Sequence, residues 1–228
     1  MTADDYLRGI LARERVGNTL LTGSPVPQVE RVVLPIIQAW AGRYLVSVEP
    51  SGSIAKGTAV RSGTDVDLFI SLSSTTPDTL KAVHQTLAAA LRGVGYVPRL
   101  QNVSLGIAVG GHQVDLVPGK RQDQYSNDHS IYRRRADTWT KTNVRTHINQ
   151  VSLSGRIQEI MILKVWRNQQ RLAFPSFLLE LVTIRACHGR RVGDLATNVW
   201  TTFEISGTTL RQPCFLIRPT QTIGSRTI

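Results

Sequence analysis

The chain has 228 residues, 41% of them hydrophobic, and its 27 Lys and Arg against 16 Asp and Glu give a formal net charge of +11. This composition supports one sizeable core or two small lobes sharing a cleft, and the excess of positive charge predicts an anionic partner such as nucleic acid, nucleotide phosphates or a membrane surface. The acidic start is unlike a signal peptide, no apolar run approaches the roughly 18 residues of a membrane span, and the two cysteines lack CxxC spacing. We therefore predict a cytoplasmic protein with no membrane association, no zinc site and no disulfide framework.

The first half of the chain alternates helical and strand-like patterns. Residues 28–43 have helical spacing interrupted by Pro35, and residues 44–50 are typical of a strand. A small-residue turn and an apolar run that contains two aspartates follow, and residues 76–95 carry helix start and stop signals. Three more strand-like segments are then separated by Asn102 and a Gly-Gly pair; they cover residues 96–101, 103–109 and 112–118.

The second half of the chain changes to helical periods from about residue 140. Four segments show them, at residues 143–155, 156–170, 176–189 and 192–204. The polar, basic stretch 119–139 is the nearest thing to a linker. The predicted fold is therefore α+β, with a catalytic lobe of mixed sheet and helices over residues 1–125 and a helical lobe over residues 126–228.

Two aspartates spaced one residue apart stand in the apolar run after the turn. In a strand, residues i and i+2 face the same side, so Asp65 and Asp67 are predicted side by side. Asp115 lies in V-D-L-V, a setting like the V-D-L-F around Asp67. Neighbouring carboxylates disfavour joint ionisation unless a cation lies between them. We predict that the three acids share a site for a divalent metal, which prefers such oxygen ligands.

The turn before the aspartates suits a phosphate ligand. Gly52 allows close backbone approach, Ser53 and Thr58 carry hydroxyl groups that can bond phosphate oxygens, and Lys56 supplies a positive charge. The turn lacks the GK[ST] ending of a P-loop.

The combination GSxxxGT, DxD and a remote DLVP resembles the DNA polymerase β-like nucleotidyltransferase superfamily. In the helical half, SGRIQEIMILKVWRN and FPSFLLELVTIRA are similar to the branch that contains oligoadenylate synthetases, bacterial cyclic GMP-AMP synthase-like enzymes (CD-NTases) and archaeal-type CCA-adding enzymes. The resemblance covers about residues 25 to 200. It implies a polymerase-β-like palm followed by a helical lobe, here shortened at its C-terminus, with a nucleotide between the two.

The resemblance also implies roles for individual residues. Asp65 and Asp67 would hold two Mg²⁺ ions, with Mn²⁺ as the alternative, and Asp115 would hold the catalytic ion and help to activate the acceptor hydroxyl. Gly52, Ser53, Lys56 and Thr58 form the nucleotide-binding turn, with Ser53 on the β and γ phosphates. Lys164 and Ser176 would grip the triphosphate, while Phe177 would stack on the donor base.

Lys164 also stands on an apolar helical face with Ile157, Ile160 and Met161, a register that points it toward the core or a cleft. Glu180 is interpreted as either a buried carboxylate or an acid of the first helical turn, without a catalytic role. The run Arg133, Arg134, Arg135 is interpreted as a solvated face or as a contact for nucleic acid or product phosphates.

The function implied is an NMP transferase that uses NTPs, with ATP expected, and makes cyclic or linear oligonucleotide messengers in antiviral defence. A nucleic acid or a protein is considered as an effector. Three alternatives stay open: an archaeal-type tRNA CCA-adding enzyme, a catalytically silent nucleotide- or nucleic-acid-binding module, and a small-molecule adenylyltransferase.

Overall fold

The computed structural model describes residues 1–16, 24–63 and 65–209, with side chains in the last helix described as far as Ile205. The helices in this part of the chain are α1 Ala3–Glu14, α2 Val26–Ala41, α3 Gly52–Ala55, α4 Leu80–Gly93, α5 Val144–Ser152, α6 Ile157–Gln169, α7 Ser176–Ala186 and α8 Leu195–Thr209. The strands are β1 Leu45–Pro50, β2 Val66–Leu72, β3 Arg99–Leu100, β4 Leu105–Val109, β5 His112–Arg121, β6 His129–Arg133 and β7 Thr138–Thr142.

These strands form one mixed sheet in the order β1-β2-β5-β4-β3, and β6 and β7 extend it beyond the end of β5. The pair β2 and β5 is parallel, while the other pairs are antiparallel. Parallel neighbours require a crossover connection. Here α4 lies within that crossover, so the two aspartate-bearing strands come together although the partners Asp67 and Asp115 are 48 positions apart in the chain.

One core lies between the sheet and the helices α2 and α4. In α2, Val29, Val33 and Ile37 recur every four residues and are fully buried, and Leu87 and Leu91 do the same in α4. The predicted helix with Pro35 in its interior is confirmed as α2, and the strand-like patterns before and after α4 are confirmed as β1 to β5.

A second core joins helices from the two ends of the chain. Leu11 of α1 packs with Met161 and Leu163 of α6, Leu179 of α7 and Leu195 of α8. The helix α1 was not predicted, although Thr2 and Asp5 form a capping box at its start. The N-terminal helix therefore packs with the helical half rather than with the sheet.

The stretch predicted as a linker, residues 119–139, is instead part of the sheet. It contains the end of β5, the strand β6 and the turn toward β7, and Ile131 and Tyr132 of β6 are buried. Arg134 lies in that turn and donates its backbone N–H to the carbonyl of Asn102 at 2.7 Å. The sheet thus continues beyond residue 125, and the division into lobes at that residue stays a prediction.

The chain after Thr209, the end of α8, lies outside the described residues, and the predicted shortening of the helical lobe stays a prediction. Within the described ranges, no helix combines the length and the apolar character needed to cross a membrane.

Candidate active site

Two of the three predicted carboxylates lie side by side on neighbouring strands. Asp67 of β2 and Asp115 of β5 are direct partners in the register of the parallel pair, which places their Cα atoms about 5 Å apart. Both side chains are partly buried, while the flanking Val66, Leu68 and Leu116 point into the core. The two strands that carry these acids are therefore neighbours in the sheet.

Asp65 differs from its prediction in one respect. It was placed inside the strand, but β2 begins at Val66, so Asp65 precedes the strand and is exposed. Its carboxylate still lies close enough to raise the pKa values of both Asp67 and Asp115 by charge repulsion. The three acids therefore share one electrostatic environment.

Burial and like charge together make ionisation of Asp67 unfavourable. Burial is the largest cause, followed by the charges of Asp115 and Asp65, and the pKa of Asp67 rises from 3.8 to about 6. Burial also raises the pKa of Asp115, against the opposing effects of Arg99 and of Gln101, whose Nε2 donates to Asp115 Oδ1 at 2.7 Å. An added cation would relieve this repulsion.

The glycine of the GS turn makes room for Asp67. The turn was predicted as a loop, but Gly52 begins the short helix α3, with a positive φ of 58°. A Cβ atom at Gly52 would lie 1.7 Å from Asp67 Oδ2. Only glycine fits this position, and it brings the backbone of the turn directly against the carboxylate.

These residues fit a hard divalent cation, which would be held by Asp65, Asp67 and Asp115. The donors are carboxylate oxygens, the preferred ligands of Mg²⁺, and the cavity beside this Gly52 cradle is lined by Asp67. Across the described residues, no three His, Cys, Asp or Glu side chains already stand in the arrangement of a metal cluster.

A buried ion cluster lies next to the acids. Glu180 of α7 accepts hydrogen bonds from Lys164 Nζ at 2.6 Å, from Lys56 Nζ at 2.8 Å and from Thr58 Oγ1 at 3.1 Å. Lys164 also donates to Thr58 Oγ1 at 2.7 Å. The structure thus brings three predicted nucleotide-binding residues together around an acid that was given no role.

The cluster is tightly enclosed. Lys164 is 2% exposed and Glu180 is fully buried, so Glu180 is the buried carboxylate of the two interpretations rather than an acid of the first helical turn. Burial lowers the pKa of Lys164, and the charge of Glu180 opposes that change. Burial alone would raise the pKa of Glu180, but Lys164 and Lys56 outweigh it and lower the pKa. The pair is therefore a buried salt bridge.

Phe177 has two neighbours at its ring. The ring of His147 lies 4.7 Å from it between centroids, at an interplanar angle of 35°, and Lys56 Nζ lies 4.5 Å from its centroid. Lys56 and His147 also line a cavity of about 190 Å³ that reaches Gly52 and Asp67. His147 was missed by the sequence analysis, because nothing in its local pattern indicates contact with an aromatic ring on another helix.

The two predicted serine ligands, Ser176 and Ser53, have other hydrogen-bond partners. Ser176 is the first residue of α7, and its Oγ accepts from Arg167 Nη1 at 2.7 Å. The Ser53 carbonyl accepts from the Thr58 N–H at 2.9 Å and so closes the turn.

Comparison with known proteins gives one curated relative. No family model matches the chain. The chain is 26% identical over 152 residues to the cyclic AMP-AMP-AMP synthase of Escherichia coli strain MS 115-1, an alignment that covers 58% of this chain and 47% of the relative. The chain thus spans about half the length of that relative.

Solved structures share the fold over nearly the whole chain. E. coli MS115-1 CdnC, solved with ATP, has a TM-score of 0.72 at 19% identity, covering 99% of this chain and 79% of that one. CdnC has also been solved in complex with HORMA-deltaN, with a TM-score of 0.66 at 19% identity over 92% of this chain and 72% of that one. The CD-NTase CdnG of Bradyrhizobium diazoefficiens, in complex with GTP, has a TM-score of 0.72 at 14% identity over 92% and 77%.

The chain has the CD-NTase fold. The resemblance to this branch of the polymerase β-like nucleotidyltransferases is thereby confirmed, and so is the predicted α+β class with its mixed sheet and helices. In the CD-NTase fold of this chain, the acids lie on β2, on β5 and just before β2, while α6 and α7 bring Lys164 and Glu180 to the same cleft.

Proposed function

We propose that the chain is a Mg²⁺-dependent nucleotidyltransferase that moves a nucleoside monophosphate from an NTP to a hydroxyl group. The observation that carries this proposal is that Asp67 and Asp115 are direct partners on parallel strands. Asp67 also feels the charge of Asp65 and packs against Gly52. Two divalent ions bound to these carboxylates would neutralise phosphate charge and lower the barrier to in-line displacement.

In this reaction the acceptor oxygen forms a bond to the α-phosphorus, and the bond from that phosphorus to the bridging oxygen breaks, which releases pyrophosphate. The acceptor hydroxyl gives up its proton, and the carboxylate of Asp115 is the proposed base. Its raised pKa suits that role, and Gln101 fixes one of its oxygens by a hydrogen bond of 2.7 Å.

Binding of the triphosphate by Lys56 or Lys164 would require the hydrogen bonds of the ion cluster to change. Lys56 and Lys164 both bond Glu180, so a phosphate that binds either lysine competes with this carboxylate. Lys56 is the more accessible of the two, with 11% of its side chain exposed against 3% for Lys164. We expect Lys56 to turn toward the nucleotide first, while Lys164 holds Glu180 in place and leaves the cluster neutral.

Phe177 is the proposed stacking surface for the donor base. His147 and Lys56 contact its ring, so release of Lys56 toward the phosphates would also expose the ring. Phosphate binding and base stacking are therefore coupled in this proposal.

The proposed product class is supported by the curated relative, whose name describes the synthesis of a cyclic trinucleotide. We propose that this chain likewise makes a cyclic or linear oligonucleotide, with ATP among its substrates, as a second messenger in antiviral defence. Because CdnC has been solved in complex with HORMA-deltaN, a protein effector is included in the proposal.

The test is incubation with each NTP and Mg²⁺, alone and with tRNA, followed by separation of the products. Phosphatase-resistant oligonucleotides from NTP alone are the expected result. Extension of tRNA by C and A without any short product would favour the CCA-adding alternative and overturn the proposed oligonucleotide product.

A further inference from the structure

A row of paired residues crosses the sheet at the level of the acids. Asp115 of β5 pairs with Asp67 of β2 on one side and with Gly106 of β4 on the other. Gly106 pairs in turn with Arg99 of β3. Residues that lie directly opposite each other in a sheet present their side chains on the same face. Because Gly106 has no side chain, the row has a gap next to Asp115 on the face that carries the acids.

Two longer side chains from the β3 side converge on this gap. A Cβ atom at Gly106 would lie 3.0 Å from three polar atoms, namely Asp115 Oδ1, Gln101 Nε2 and Arg99 Nη2. Gln101 donates from Nε2 to Asp115 Oδ1 at 2.7 Å. Arg99 donates from Nη2 to Gln113 Oε1 at 2.6 Å. Glycine at position 106 therefore leaves the room through which the amide of Gln101 reaches the acid.

The backbone of Gln101 is fixed at both of its polar groups. Its N–H donates to the Ser104 carbonyl at 3.0 Å, which closes the turn between β3 and β4. Its carbonyl accepts from Arg134 Nε at 3.0 Å. Burial is the largest cause of the raised pKa of Asp115, and side-chain hydrogen bonds from Gln101 and Ser104 oppose it. The β3–β4 turn therefore holds the acid with two of its side chains.

The turn between β6 and β7 supports the β3–β4 turn from outside. The backbone N–H of Arg134 donates to the Asn102 carbonyl at 2.7 Å, and that of Arg135 donates to Asn102 Oδ1 at 3.0 Å. Both arginines are exposed. Arg134 also uses its side chain, in the bond to the Gln101 carbonyl, whereas Arg135 contributes its backbone to this contact. Part of the basic run thus braces the turn that holds Asp115.

A neutral amide suits the task of orienting a carboxylate that binds a cation. The amide of Gln101 donates a hydrogen bond to one oxygen of Asp115, but it carries no positive charge that would compete with a metal ion. Carboxylates that bind metals are commonly held by such hydrogen bonds, and removal of the partner typically lowers metal affinity or activity by about 10–100-fold.

We propose that Gln101 is a positioning residue of the nucleotidyltransferase site. Its amide reaches across Gly106 and orients Asp115 for the cation, and Arg134 fixes the turn from which the amide extends. The inference rests on the proposed function for the cation and for the role of Asp115. The contacts that join Gln101 to Asp115 and to Arg134 do not depend on that function.

The test is titration of the full chain with Mn²⁺, with the free ion measured by electron paramagnetic resonance. Gln101→Met keeps the length of the side chain but removes its donor, so we expect the dissociation constant for Mn²⁺ to rise about tenfold or more. At saturating Mn²⁺, kcat should fall while KM for ATP stays unchanged, because the ion cluster around Glu180 is untouched. Gln122→Met is the matched control, since the exposed Gln122 donates to Ser130 Oγ at 3.2 Å; it should keep wild-type affinity.

The two neighbouring arginines test the support of the turn. Arg134→Ala and Arg135→Ala each remove one exposed positive charge, but Arg134→Ala alone removes the bond to the Gln101 carbonyl. The Arg135 bond uses the backbone N–H, which alanine retains. We expect Mn²⁺ affinity to fall about two- to threefold in Arg134→Ala, the lower end of what one hydrogen bond contributes, and to stay at the wild-type value in Arg135→Ala.

Unchanged Mn²⁺ affinity in Gln101→Met, or an equal loss in Gln122→Met, overturns the proposal. Equal losses in the two arginine variants overturn the part assigned to Arg134.

Failure of the proposed function gives a different result. A wild type that binds no Mn²⁺ contradicts metal-dependent transfer itself, and melting temperatures in EDTA then test the contact without metal or turnover. Gln101→Met should lower the melting temperature of the wild type but not that of Asp115→Ala, in which no acid is left to hold. Equal decreases in both backgrounds would show that Gln101 does not act through Asp115.

Discussion

Replacement of Asp67 by asparagine should stabilise the fold while abolishing transfer. The rise in the pKa of Asp67 from 3.8 to about 6 corresponds to about 3 kcal/mol at 1.36 kcal/mol per pKa unit. Since the side chain is partly exposed and solvent screens part of the repulsion, we expect about 2 kcal/mol at pH 8. For a chain of this size, that is an increase in melting temperature of about 4–8 °C.

The sign of the pH dependence follows from the raised pKa. Between about pH 3.8 and 6 the folded protein holds a proton that the unfolded chain has released, so wild-type stability falls as the pH rises through this window. The advantage of Asp67→Asn should therefore be about half as large at pH 5 as at pH 8. Differential scanning calorimetry at both values measures it, with the exposed Asp78→Asn as a control. The argument from the raised pKa is refuted if Asp67→Asn is no more stable than the wild type at pH 8, or if its gain in stability is the same at pH 5 and pH 8.

Two further substitutions test the buried cluster and the glycine cradle. Glu180→Ala leaves Lys164 charged and unpaired in the interior, so we expect a loss of about 3–5 kcal/mol in urea unfolding; a loss below about 1 kcal/mol would contradict the buried salt bridge. Gly52→Ala drives a methyl group into Asp67, so it should remove the Mg²⁺-dependent increase in melting temperature expected of the wild type. Gly189→Ala has a similar positive φ with open space around it and should keep that increase.

Local pattern was enough to predict the strands that carry the acids. Asp67 and Asp115 each stand in a short apolar run, and like runs in one lobe tend to pair in a sheet. The position of Asp65 was predicted less well, because strand ends depend on the hydrogen bonds of the partner. Here β2 begins at Val66, which pairs with Val114.

The remaining features depend on contacts between distant parts of the chain. The polar residues 119–139 lack a strand-like alternation, and β6 forms because it pairs with β5 and β7. Glu180 meets Lys56 across 124 positions, a separation at which no local pattern operates. An acid within the apolar run FLLEL was the available signal for it, since such a residue is seldom buried without a cationic partner.

The central claim is transfer of a nucleoside monophosphate, which carries the α phosphate, with release of pyrophosphate, and differential labelling of ATP tests it most directly. The chain is incubated with Mg²⁺ and ATP labelled either at the α or at the γ phosphate, and the products are separated before and after phosphatase treatment. The account predicts that the α label enters phosphatase-resistant oligonucleotide. The γ label leaves as pyrophosphate, apart from any that a linear product keeps on its 5′ triphosphate until phosphatase removes it, and both results are abolished in Asp67→Asn. Transfer of the γ label to an acceptor, or equal incorporation of the α label by Asp67→Asn, would contradict it.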